Sequence, residues 1–242
     1  MKRVVVLRTL LILGIFLYMI ECRAESQRPS ELFEMIKVRY EEIKDYQCRL
    51  FEWSTDGRRY EERIINFYFK KPKLIRMDIL RGNRPFDSGS VAVYLGSGKV
   101  KGHRGGILKN IVLNVPRESA LATTIRGVTM DESDMETVII KMKYYLENGK
   151  ISITETGDVY QFECVPFDVT KNEGISRDVL WIGKKNLLVV YNERFAGTKS
   201  VQRVQWCDYI VNAGLPDELF NIDFNVASLA ERGIPIITQT VE

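Results

Sequence analysis

Apolar and polar positions alternate from Glu61 to Ile79 with a period of two: Ile65, Phe67 and Phe69 face one way, Ile64, Asn66 and Tyr68 the other. Lys70-Lys71-Pro72-Lys73 interrupts the alternation, which resumes with Ile75, Met77 and Ile79 on one face. The pattern predicts two strands joined by a short basic turn, with an aromatic-rich face turned to a core or a cavity. Upstream, Gln27 to Tyr46 has helical spacing: Ser30 stands as N-cap after Pro29, and Leu32, Phe33, Ile36, Tyr40 and Ile43 fall on one side. Between helix and hairpin, Cys48 to Ser54 reads as a strand turning at Asp56-Gly57 into Arg59 to Phe69.

Period-two runs continue through Leu74 to Leu80, Ser90 to Leu95, Lys99 to His103 and Leu108 to Val115, with Gly96-Ser97-Gly98 as a turn. A second helix is predicted next. Ser133 and Glu136 form a capping box, Met135, Val138, Ile139, Met142, Tyr145 and Leu146 an apolar stripe, and Asn148-Gly149 a stop. Strands resume at Lys150 to Glu155, Tyr160 to Phe167, Arg177 to Ile182, Leu187 to Phe195 and Val201 to Val211, before a short helical turn in Leu215 to Phe224. The tail after Asn225 carries little pattern. About ten short antiparallel strands with two helices predict an α+β, mostly β fold: a strongly curved sheet forming an incomplete barrel, its concave face covered by the helices.

Charge adds a targeting segment. The formal charge of +3 disappears once residues 1–24 are removed, because Lys2, Arg3, Arg8 and Arg23 outweigh Glu21 there. No nucleic-acid partner is implied. Lys2-Arg3 and Arg8 precede the apolar run Leu10 to Ile20, and Cys22-Arg23-Ala24 offers small residues for cleavage, so residues 1–24 are expected to be a signal peptide cut after Ala24. Lipidation at Cys22 and an uncleaved N-terminal anchor are the alternatives. Residues 25–242 then form a single exported domain. Cys48, Cys164 and Cys207 remain, an odd number that allows at most one internal disulfide and leaves its partners open.

Candidate chemistry is sparse. His103, in Gly102-His103-Arg104-Gly105-Gly106, is the one histidine, and no GxSxG elbow accompanies it. Gly96-Ser97-Gly98-Lys99 lacks the first glycine and the Ser or Thr of a phosphate loop. Asp131, Glu132, Asp134 and Glu136 are read as helix-capping charge, and Glu61-Glu62 with Arg58-Arg59 as a solvated strand edge. No enzyme, metal or cofactor is expected.

Several of these stretches carry a resemblance. The helix ending in Asp45-Tyr46, the run Phe69-Lys70-Lys71-Pro72-Lys73-Leu74-Ile75-Arg76-Met77 and the terminal Gly214-Leu215-Pro216-Asp217-Glu218-Leu219-Phe220 resemble the outer-membrane lipoprotein-sorting carriers, the LolA-like proteins. Tyr46-Gln47-Cys48 is similar to the first strand of an uncharacterised branch of them, and the resemblance spans most of residues 30–224. It implies an unclosed barrel with a helical lid, and a periplasmic carrier that holds acyl chains of a lipidated client or another hydrophobic ligand. A signalling module binding a membrane-protein partner is the alternative, a hydrolase using His103 a third. In the carriers an arginine before the turn proline couples lid to barrel; Lys71 takes that position here and keeps the charge without the bidentate fork. The ligand-binding residues expected are Phe67, Phe69, Ile75, Met77 and Val93 from the sheet and Ile139, Met142 and Leu146 from the lid, in a monomer.

Overall fold

The computed structural model describes residues 28–237, so the expected signal peptide lies outside the described residues. Helix α1 runs over residues 28–42 and delivers the chain into β1 (Asp45–Thr55). From there the chain meanders outward through β2 (Tyr60–Lys70), β3 (Leu74–Gly82), β4 (Ser90–Tyr94), β5 (Lys99–His103) and β6 (Leu113–Pro116). A strap over residues 117–133 and helix α2 (Met135–Asn148) carry it to the opposite edge. It then returns through β7 (Gly149–Thr156), β8 (Val159–Pro166), β9 (Arg177–Gly183), β10 (Val189–Ala196) and β11 (Lys199–Val211).

Strand β11 pairs with β1, so the two meanders join into one eleven-stranded antiparallel sheet of order β6-β5-β4-β3-β2-β1-β11-β10-β9-β8-β7. The outer strands β6 and β7 do not pair, and the sheet stays open rather than closing into a barrel, as expected. The predicted strand over Leu108 to Val115 is shorter than its pattern: Gly106–Leu108 is a 3₁₀ turn and pairing begins at Leu113. The reason is Gly105, which passes so close to the Ser88 carbonyl that any Cβ would collide with it, and Gly106, whose positive φ turns the chain away.

Both faces of the sheet's middle are buried. On the concave face, Cys48, Leu50, Ile65, Phe67, Phe69 and Ile75 meet the α1 stripe of Leu32, Phe33, Ile36, Tyr40 and Ile43 and the α2 residues Met135, Met142 and Tyr145. Tyr46 stands at the centre, its ring 5.8 Å from Phe67 and 5.1 Å from Phe69, its hydroxyl accepting from the Met135 amide at 3.3 Å. On the other face, Tyr68 and Val93 are covered by Leu215, Leu219, Phe220, Ile222, Val226 and Leu229. The unpatterned tail is therefore packed. Arg76 holds it by donating to the carbonyls of Leu219 (3.0 Å) and Asn221 (2.8 Å), while Gln47 accepts from the Ile237 amide and donates to the Pro235 carbonyl. A buried guanidinium bonded to two carbonyls and to Asp78 is satisfied where a solvent-facing one would gain little.

Candidate functional site

The concave face is not filled evenly. Over the part of β3 to β6 beyond Ile75, the strap roofs a cavity of about 590 Å³. Its floor is Met77, Ile79, Ala92, Val100, Gly102, Leu113 and Val115, all on the concave parity set by the pairings Met77↔Ala92, Ala92↔Gly102 and Val100↔Val115. Its roof is Leu121, Ala122, Thr123, Val128 and Met130. Small residues on the floor and an irregular roof leave space where the aromatic half of the sheet leaves none. Glu52, Arg63 and Arg84 close the inner end.

That inner end is held by Glu61, whose charged neighbours imply a solvated edge but which is completely buried. Its carboxylate accepts from Ser54 Oγ at 3.1 Å and from the Ile125 amide of the strap at 2.7 Å, and pairs with Arg63 at 2.8 Å and with Arg84. One anion thereby ties strap, β2 and the β3–β4 loop together. A buried carboxylate is tolerated only with such a full set of partners. Nearby Glu52 has its pKa raised by burial, with Arg63, 3.8 Å away, pulling the other way.

The helices are clasped by the basic turn. Lys71 Nζ donates to the carbonyls of Tyr40 (2.7 Å) and Glu41 (3.1 Å) at the C-terminal end of α1 and lies 4.2 Å above the Tyr40 ring. A cation there complements the helix dipole and the ring face. Lys73 reaches the other way, to Asp134 and Glu136 of α2, each at 2.8 Å. Asp134, not Ser133, caps α2: its carboxylate accepts from the Thr137 amide at 3.0 Å, while the capping box belongs to Thr129 and Glu132, one turn earlier in the chain. Burial raises the Asp134 pKa against the opposing pull of Lys73.

Beneath α2 a smaller cavity of about 60 Å³ brings Lys141, Asp178, Asn192, Arg194 and Gln202 together beside Trp206 and Leu180. Burial lowers the Lys141 pKa, and Arg194 lowers it further.

Of the residues read from the sequence, Met77 lies in the wall of the large cavity. Phe67, Phe69, Ile75 and Met142 are fully buried in the solid core beside it, with Ile139 and Leu146 packed against that core. Val93 sits on the opposite face, under the C-terminal segment, because Ile75 pairs with Tyr94 and so turns Val93 away. The strap residues and Ala92, Val100, Leu113 and Val115 line the cavity without a sequence pattern that singles them out. Ala92 and Gly102 have little hydrophobic contrast, the short strands β5 and β6 offer too few alternations to fix a face, and the strap follows neither period. His103 is at the cavity's rim, and among the described residues its hydrogen-bond contact is Nδ1 with the Arg104 carbonyl at 3.0 Å. Cys48, Cys164 and Cys207 are free thiols. Among the described residues no cluster of His, Cys, Asp and Glu could hold a metal ion, and no helix is long and apolar enough to cross a membrane.

Fold and site together define a class: an open antiparallel sheet whose concave face is plugged by helices on one side and hollow on the other. No family model and no curated protein matches the chain. Among solved structures, an uncharacterized conserved protein from Thermus thermophilus is similar over 83% of this chain and 97% of its own, at 11% identity and a TM-score of 0.50. A DUF1329 family protein from Desulfovibrio piger aligns over 81% of this chain and 97% of its own (13% identity, TM-score 0.45). A LolA superfamily protein from Nitrosomonas europaea aligns over 78% and 97% (10% identity, TM-score 0.37). At these identities the likeness is one of fold.

Proposed function

We propose that the chain is an exported, non-enzymatic binding protein that shelters a hydrophobic ligand, such as the acyl chains of a lipid or of a lipidated protein, in the cavity beneath the strap. The observation that carries this reading is the cavity itself: about 590 Å³, partly open and walled chiefly by apolar side chains. That volume is in the range of small-molecule sites, roughly 300–1,000 Å³. Each methylene moved from water into such a space gains about 0.8 kcal/mol, so a dry hollow with a gate suffices and no catalytic group is needed. Met77 and Ala92 would contact the ligand, while Phe67, Phe69, Ile75, Ile139, Met142 and Leu146 form the rigid backing that keeps the hollow from collapsing. Lys71, which joins α1 to the sheet, fixes the helical plug next to it. With the leader removed, residues 25–242 would work as one periplasmic domain.

The test is lipid extraction from gently purified protein followed by mass spectrometry, together with displacement of a fluorescent fatty acid. The wild type is expected to release lipid and to bind the dye. Ala92→Trp, which fills the floor, is expected to lose at least tenfold in dye affinity with its circular dichroism unchanged. A wild type that neither carries lipid nor binds the dye would overturn the reading, as would an Ala92→Trp variant that binds it equally well.

A further inference from the structure

At one end of the β3–β6 wing the β3–β4 and β5–β6 loops meet, and residues of both line the cavity. They are fastened together: Arg104 donates to the Pro85 carbonyl at 3.0 Å and pairs with Asp87 at 3.2 Å, and the Gly105 amide donates to the Phe86 carbonyl at 2.8 Å. Large apolar side chains of these loops, of β6 and of the strap stand in solvent. Ile107 is 83% exposed, Leu121 66% and Ile111 56%, with Phe86, Val112 and Leu113 also exposed. Phe86, Leu113 and Leu121 at the same time line the cavity, so the exposed apolar rim and the hollow are continuous.

The same stretch is strongly basic. Residues 81–121 carry seven Lys and Arg against two Asp and Glu, whereas the chain beyond residue 24 is neutral as a whole. Of these, Arg84 and Arg104 line the cavity paired with Glu61 and Asp87, while Lys109 lies exposed between Ile107 and Ile111. Apolar tips that flank an exposed lysine, on a stretch with an excess of cations in a chain that is neutral as a whole, match one kind of surface: an anionic lipid bilayer, in which aliphatic side chains enter the headgroup region and lysines and arginines attract the lipid charge. A water-facing role for the patch would leave the bare isoleucines unexplained.

We infer that this rim docks the protein on anionic lipid bilayers. The inference goes beyond sheltering a ligand and can stand without it: surface binding and cavity filling are read separately.

The experiment is co-sedimentation of the exported chain with vesicles of phosphatidylglycerol and phosphatidylcholine in equal parts, against vesicles of phosphatidylcholine alone, comparing variants that share one N-terminus. The wild type is expected to sediment with the anionic vesicles only and to be released by high salt, because screening weakens surface charge attraction. Lys109→Glu is expected to weaken binding at least fivefold, following the usual contribution of a basic residue near such a surface. Ile107→Ser with Ile111→Ser, both exposed and so without cost to the fold, is expected to weaken it at least tenfold. Ala92→Trp is expected to leave it unchanged. Equal sedimentation with both vesicle types, no sedimentation with either, or full binding by the Ile107→Ser/Ile111→Ser protein would overturn the proposal. Capture of a membrane protein by the wild type that these substitutions abolish, in the absence of vesicle binding, would reassign the rim to a protein partner.

Discussion

One sheet has two interiors. On β1, β2 and β8 to β11 the concave face meets α1 and α2 through Tyr46, Phe67, Phe69, Tyr145 and Phe162, all fully buried. On β3 to β6 the same face meets Ala92, Gly102 and an irregular strap, and a cavity remains. Backbone and pairing are equivalent in the two halves; side-chain volume and the reach of the helices differ. Curvature alone does not make a hollow. The sequence must also decline to fill it.

Substitutions can break that contrast, beginning with the largest effect. Phe67→Ala, in the solid half, is expected to cost about 3–5 kcal/mol of unfolding free energy by denaturant titration. Met77→Ala, at the cavity wall, is expected to cost about 2 kcal/mol or less, since the space it leaves already adjoins a void. Comparable losses at both positions would mean that the two interiors are packed alike. Asp134→Ala removes the α2 cap and the partner of Lys73, for a further expected loss of about 1–2 kcal/mol with a shortened helix in amide exchange.

The smallest effect sharpens the comparison at the boundary, where Glu52 lines both cavities. Burial raises its folded-state pKa above the unfolded value, so the native state keeps the proton to higher pH. Its contribution to stability is therefore complete at acid pH and declines as pH rises through the folded pKa. Glu52→Gln is expected to flatten that decline in a series of denaturant titrations above about pH 4.5. An unchanged slope would place the carboxylate in water.

Much of the scaffold was readable from periodicity, because half-buried strands must alternate and the α1 stripe must recur every three to four residues. Ile75, Met77 and Ile79 share the concave face as their spacing requires. Val93 shows where that logic ends: Ser90 to Leu95 is apolar on both faces, and only pairing with β3 decides which side faces inward. Glu61 shows a different gap. Its partners come from Ser54, Arg63, Arg84 and Ile125, and nothing local distinguishes it from its exposed neighbour Glu62. The cavity roof was invisible for a related reason. Residues 117–133 follow no regular period, and their fold is dictated by what they cover.

The pairing of β1 with β11 imposes an order on assembly. Arg49 and the Cys207 it neighbours are 158 residues apart, so a chain made from its N-terminus presents the inner edge of β1 long before its complement arrives. The meander from β1 to β6 can assemble early from local turns, whereas closure of the seam waits for the last strand and carries the loop-entropy cost of that separation. Until then an unpaired edge next to greasy side chains invites aggregation, which makes newly made chains of this protein natural clients for holding chaperones.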